Sequence, residues 1–118
     1  MTPEYLAGFF DGEGTFYLGL QKAKNPNNPK MYPKAQVMLS QSGDEGLALL
    51  QQIQKEYGGS IYVHLKPGEY KATKAAYKLW WNKQEAIGLI KRIYEHLILK
   101  QEAAHAVLTY LERNNEQK

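Results

Sequence analysis

An α+β fold, in which a four-stranded antiparallel sheet carries its helices on one face, is predicted by three features of the 118-residue sequence. Two pairs of short segments alternate apolar and polar residues with period two, each pair is joined by a turn-rich stretch, and runs with helical spacing stand before, between and after them. The resulting order is α-β-β-α-β-β-α-α. At this length it makes one domain over residues 1–118, with a single core and no room for a second.

The first helix is announced by Thr2 as N-cap, Pro3 at the first helical position and Glu4 in the positive first turn. It is apolar all round, with Gly8 and Gly12 on one side. The later helices suffice to cover the sheet, so this one is left without an obvious neighbour. A second subunit across a two-fold axis is the simplest cover, and burial within the monomer is the alternative.

From Thr15 to Lys24, Phe16, Leu18 and Leu20 point one way while Tyr17, Gly19 and Gln21 point the other. Asn25-Pro26-Asn27-Asn28-Pro29 turns the chain, and Lys34 to Gln41 returns with Ala35, Val37 and Leu39 on the inner side. Ser42 and Glu45 form a capping box for a helix with Leu47, Leu50, Ile53 and Tyr57 on one face, which Gly58-Gly59 stops. Ile61, Val63 and Leu65 make a third strand, Pro67-Gly68 turns, and Tyr77, Leu79 and Trp81 make a fourth. Asn82 and Glu85 form a second capping box, opening a helix whose stripe runs from Ala86 through Leu89, Ile90, Ile93 and Tyr94 to Leu97. A last helix starts near Gln101, buries Ala104, Val107, Leu108 and Leu111, and gives way to a polar tail from about Asn114.

Charge is divided unevenly along this plan. Thr15 to Gly43 and Ser60 to Lys83 together hold nine lysines against the single acid Glu69, within a net charge of only +3 for the whole chain. A basic face of this kind points to a polyanion. The absence of Cys excludes disulfides, thiolate metal sites and cysteine nucleophiles, and His64, His96 and His105 have no metal-ligand spacing. No run approaches the roughly 18 apolar residues of a membrane span, and Met1 to Phe10 is too short for a secretory signal, so a soluble, intracellular protein with no membrane partner is expected.

Asp11 and Glu13 fall among glycines at the negative end of the first helix, a placement that costs about 0.3–1 kcal/mol for each carboxylate. A hard divalent cation such as Mg²⁺ would reverse that sign, taking carboxylate and orphan helix carbonyl oxygens as ligands. The plainer reading is a polar turn closing a helix. An EF-hand is excluded, because counting from Asp11 puts Phe16 where the loop needs Gly and Lys22 where it needs Glu.

Leu6-Ala7-Gly8-Phe9-Phe10-Asp11-Gly12-Glu13-Gly14 resembles the LAGLIDADG signature of homing endonucleases, and the order of elements is similar to that family's domain. One copy of the motif implies the homodimeric subclass, with Ala7, Gly8, Asp11 and Gly12 at the subunit contact of the Leu6–Gly14 helix. The resemblance implies a site-specific cut in double-stranded DNA at a long, near-palindromic target. It makes Glu13 the ligand of Mg²⁺, helped by the Gly12 carbonyl, and Asp11 a structural acid. Gln41 positions solvent, and Lys100 polarises it and steadies the phosphate. Mn²⁺ is expected to substitute, and Ca²⁺ to support binding without cleavage.

The outward hairpin residues Tyr17, Gln21, Tyr32, Lys34, Gln36, Met38, Ser40, Tyr62, His64, Lys66, Lys78 and Trp80 are then the DNA-reading set, since the major groove admits a two-stranded ribbon. Two alternatives stay open: a non-cleaving DNA- or RNA-binding module of the same fold, and a single-strand binder that stacks bases on Tyr and Trp.

Overall fold

The computed structural model describes residues 1–22, 25–68 and 73–116, and its elements follow the predicted order. They are α1 (Pro3–Glu13), β1 (Gly14–Lys22), β2 (Met31–Ser42), α2 (Gly43–Tyr57), β3 (Ser60–Leu65), β4 (Ala76–Trp81), α3 (Lys83–Ile93) and α4 (Gln101–Glu116), with a 3-10 turn at Tyr94–His96 between the last two helices. The four strands form one antiparallel sheet in the order β1-β2-β4-β3. Lys24, Glu69 and Lys71 of the basic stretches lie outside the described residues.

The core is the space between one sheet face and the helices. Phe16 from β1, Val37 and Leu39 from β2, and Leu79 and Trp81 from β4 meet Leu50 and Ile53 of α2, Leu89 and Ile90 of α3, and Ala104 and Val107 of α4. Each strand residue is separated from the next by two positions, so the alternation read in the sequence is the alternation of burial.

The first helix departs from expectation. It is not left over: Leu6, Ala7 and Phe10 are fully buried in the chain's own core, and α1 packs on α3, β1 and the 3-10 turn. The stripe i, i+1, i+4 faces inward, while Gly8 and Gly12 stay outside. Thr2 Oγ1 caps the helix by accepting from the Tyr5 amide at 3.1 Å. Phe10 stacks on Phe16 with ring centroids 4.8 Å apart and tilts against Trp81 at 5.6 Å.

Other differences have local causes. Leu18 and Leu20 do lie on the inner side, but Leu20 is 64% exposed because the β1–β2 hairpin runs past the helix layer. Neither capping box forms: Ser42 and Asn82 stand at the N-cap positions without a side-chain bond to the helix. Glu85 instead accepts from the Gly59 amide at 2.8 Å, tying α3 to the turn after α2. The α3 stripe breaks at Ile93, where the chain tightens into the 3-10 turn. The expected tail at Asn114 is still helix, since α4 continues to Glu116.

The junction from α1 to β1 is closed by a glycine for want of space. A Cβ on Gly14 would lie 2.2 Å from Phe10 Cδ1 and 2.9 Å from Phe10 Cα. Gly14→Ala should therefore lower stability by about 1–3 kcal/mol, as overpacking does, measured as a shift of the urea midpoint.

Candidate functional site

The carboxyl end of α1 is met by the segment that leads into α4. Both oxygens of Asp11 are engaged within the chain: Oδ2 accepts from the Ile98 amide at 2.8 Å, and Oδ1 accepts from the Leu99 amide at 3.1 Å and the Lys100 amide at 2.9 Å. Lys100 reaches the other way, its Nζ donating to the Gly14 carbonyl. The carboxylate that opposed the dipole of α1 thus sits at the positive start of α4, and a cation lies at the negative end of α1. The Lys100 carbonyl accepts from Ala104 at 2.9 Å, so this lysine is the first residue held by α4.

Glu13 is exposed at the same end, and its side chain has no hydrogen bond or ion pair to any described residue. Lys100 is beside it through the Gly14 carbonyl, one residue on. Gln41 comes to the same region by register, because Gly14 pairs with Leu39 two residues earlier in β2. It is half-buried, and its side-chain amide is free of hydrogen bonds to the described residues. Gly12 is exposed at the last turn, and a Cβ there would meet no atom within 4 Å. Of the four residues expected at the subunit contact, Ala7 must be withdrawn: it is fully buried inside this chain, and the outer face of α1 is carried by Tyr5, Gly8 and Gly12.

The outward sheet residues fall into rows. Tyr17 is opposite Gln36, Gln21 opposite Tyr32, and Lys34 opposite Gly19. Met38 lies between Thr15 and Trp80, with Ser60 beyond, and Ser40, Lys78 and Tyr62 form the next row. Thr15 and Ser60 belong to this face although the sequence reading passed over them; their place in the alternation was the available signal. His64 is exposed but falls at an irregularity of register between Val63 and Leu65, and Lys66 lies just beyond β3. Trp80 keeps 37% of its surface exposed, and with Tyr62 and Met38 it rims a cavity of about 450 Å³ where β4 ends and β2 continues. Large apolar groups on an otherwise polar face mark a contact surface.

The family model described as LAGLIDADG endonuclease matches residues 6–112. The chain belongs to the LAGLIDADG endonuclease family. Its fold is similar to that of the homing endonuclease I-CvuI, solved in complex with the I-CreI target in 2 mM Mg with the DNA not cleaved, at TM-score 0.70 and 20% identity over 93% of this chain and 65% of that one. I-CvuI has also been solved on its own target in 2 mM Ca. The LAGLIDADG homing endonuclease I-GzeII, in complex with its DNA target, matches at TM-score 0.68 and 21% identity over 99% of this chain and 37% of that one. The meganuclease I-CpaMI bound to uncleaved DNA gives 0.70 and 21% over 98% and 38%. At these identities the likeness is one of fold, and this LAGLIDADG chain spans about two thirds of the I-CvuI chain or less than half of the other two. No curated protein matches it.

One positioning feature of this LAGLIDADG domain escaped the sequence reading. A Cβ on Gly46 of α2 would lie 2.8 Å from Gln41 Cβ and 3.3 Å from its carbonyl carbon, so the bare helix surface is what lets Gln41 sit at the end of β2. Gly46→Ala should displace the Gln41 side-chain amide resonances in NMR spectra and cost about 1–3 kcal/mol in a denaturant titration.

Proposed function

We propose that the protein is a divalent-metal-dependent, site-specific endonuclease that acts as a homodimer on double-stranded DNA. The observation that carries this reading is that the Lys100 ammonium is held on the Gly14 carbonyl, the residue next to the exposed Glu13, at the end of α1 and beside a sheet face lined with Lys, Tyr and Trp. Glu13 is an exposed carboxylate without a side-chain partner among the described residues, and the Gly14 carbonyl holds the Lys100 ammonium one residue further on.

The donor set fits a hard ion that a single chain does not enclose. Among the described residues no three His, Cys, Asp or Glu come together. Mg²⁺ usually keeps few protein carboxylates and fills its shell with water and substrate phosphates, so Glu13 and the Gly12 carbonyl are the ligands the chain would give. When bound, the ion would polarise the scissile phosphodiester and make a nucleophile of water near neutral pH. Lys100 supplies positive charge where the phosphate gains negative charge, and Gln41 orients solvent with an amide that has no other partner among the described residues. Mn²⁺ should replace Mg²⁺, and Ca²⁺ should support binding alone. Glu13→Gln should abolish Mg²⁺-dependent cleavage of duplexes drawn from a randomised near-palindromic library while binding in Ca²⁺ persists. Failure of the wild-type protein to cut any member would leave the non-cleaving binding module.

Two copies are needed to address both strands. The outer face of α1 supports this, since a Cβ on Gly8 would meet no atom within 4 Å. Ile98 and Leu99, 84% and 79% exposed, stand on the segment that Asp11 fastens to the same helix. Gly8→Leu should therefore leave the circular dichroism spectrum and the melting of the isolated fold unchanged but give a monomer by light scattering. A fully dimeric Gly8→Leu protein would rule out this contact.

A further inference from the structure

We propose that Asp11 is a positioning residue, which acts on the reaction by holding the backbone that aims Lys100. The inference rests on the endonuclease reading, in which Lys100 touches the phosphate.

Between the 3-10 turn and α4 the chain has no regular structure over residues 97–100. Leu97 is buried, but the next two side chains are the most exposed large hydrophobic groups among the described residues. Packing therefore fixes the start of the segment and α4 fixes its end, while nothing apolar among the described residues of the same chain fixes Ile98 and Leu99. What orders them is one carboxylate. Both oxygens of Asp11 are engaged, and they collect the amide protons of three consecutive peptides at 2.8, 3.1 and 2.9 Å. Bonds from N–H groups to an ionised oxygen are the strong kind, about twice a neutral pair.

The third of those amides belongs to Lys100 itself. Its flexible stem then carries Nζ to the Gly14 carbonyl, next to Glu13. Asp11 thus sets where the lysine leaves the backbone, and the Gly14 carbonyl marks where it arrives. The two anchors lie on the same turn of chain, Asp11 to Gly14, so the lysine is measured from the helix that also carries Glu13. A displacement of the segment would move the ammonium and leave Glu13 in place.

The role makes a prediction that a merely structural acid does not. Asp11→Asn keeps the shape but loses the charge and sets an amide N–H against an amide N–H. Hydrogen exchange of the free, full-length protein should show the Ile98, Leu99 and Lys100 amides opening about ten-fold faster, with the core amides unchanged. Single-turnover cleavage in Mg²⁺ of the duplex selected from the library should fall about ten-fold or more, with affinity in Ca²⁺ changed less than about two-fold. In a Lys100→Met background the same Asp11→Asn change should alter cleavage less than about two-fold, because the group it aims is gone. Asp11→Glu, which keeps the charge, should recover part of the loss and provides a second variant should Asp11→Asn not fold. Unchanged exchange at the three amides overturns the clamp. Equal losses of cleavage in the two backgrounds overturn the action through Lys100. A wild-type protein that cuts nothing overturns the endonuclease reading instead, and exchange alone then decides the clamp.

Discussion

Two helix ends exchange charges across the molecule, and the site exists because of that exchange. Asp11, at the carboxyl end of α1, serves the amides that lead into α4; Lys100, at the start of α4, serves the Gly14 carbonyl that follows α1. Each group would be misplaced beside its own helix, since a carboxylate is disfavoured at a C-terminus and a cation at an N-terminus. Crossed over, both are favoured. The crossing is available only because α1 is anchored by Leu6, Ala7 and Phe10 in the core, with Phe10 set against Phe16 and Trp81.

That anchoring also explains why α1 has two unlike sides. The inner side is ordinary core, and its packing needs no second subunit. The outer side carries Tyr5 and, at Gly8 and Gly12, glycines where an interior helix would carry larger groups. Burial of one side holds the helix rigid, and bareness of the other lets a neighbour approach the backbone.

Much of the fold was legible in the chain. Period-two alternation in Phe16 to Leu20 and Ala35 to Leu39 gave the long hairpin, and the pleat put Tyr17, Gln36, Met38 and Trp80 on one face before any pairing was known. What was not legible came from elements meeting at a distance. The partners of Asp11 are 87 to 89 residues away in sequence, so no local pattern could assign them. The need for a glycine at position 46 comes from Gln41 at the end of β2, which the helical spacing of α2 does not encode. Burial of Ala7 and exposure of Leu20 depend on how far the helix layer extends, which hydrophobic periodicity does not encode. Glu85 was assigned to its own helix end and was taken by Gly59 instead.

Under the proposed function, the nine paired rungs of the β1–β2 hairpin would limit how densely it could read DNA. A ribbon of that length covers about 30 Å, roughly nine base pairs at about 3.4 Å each. Yet one strand turns a side chain outward only every second residue, about 6.7 Å, so along either strand it skips every other base pair. The second strand fills some gaps, but Gly19 contributes no side chain to its rung with Lys34. A protein reading DNA through this ribbon samples its target with gaps, and silent changes at the unsampled positions would pass unnoticed.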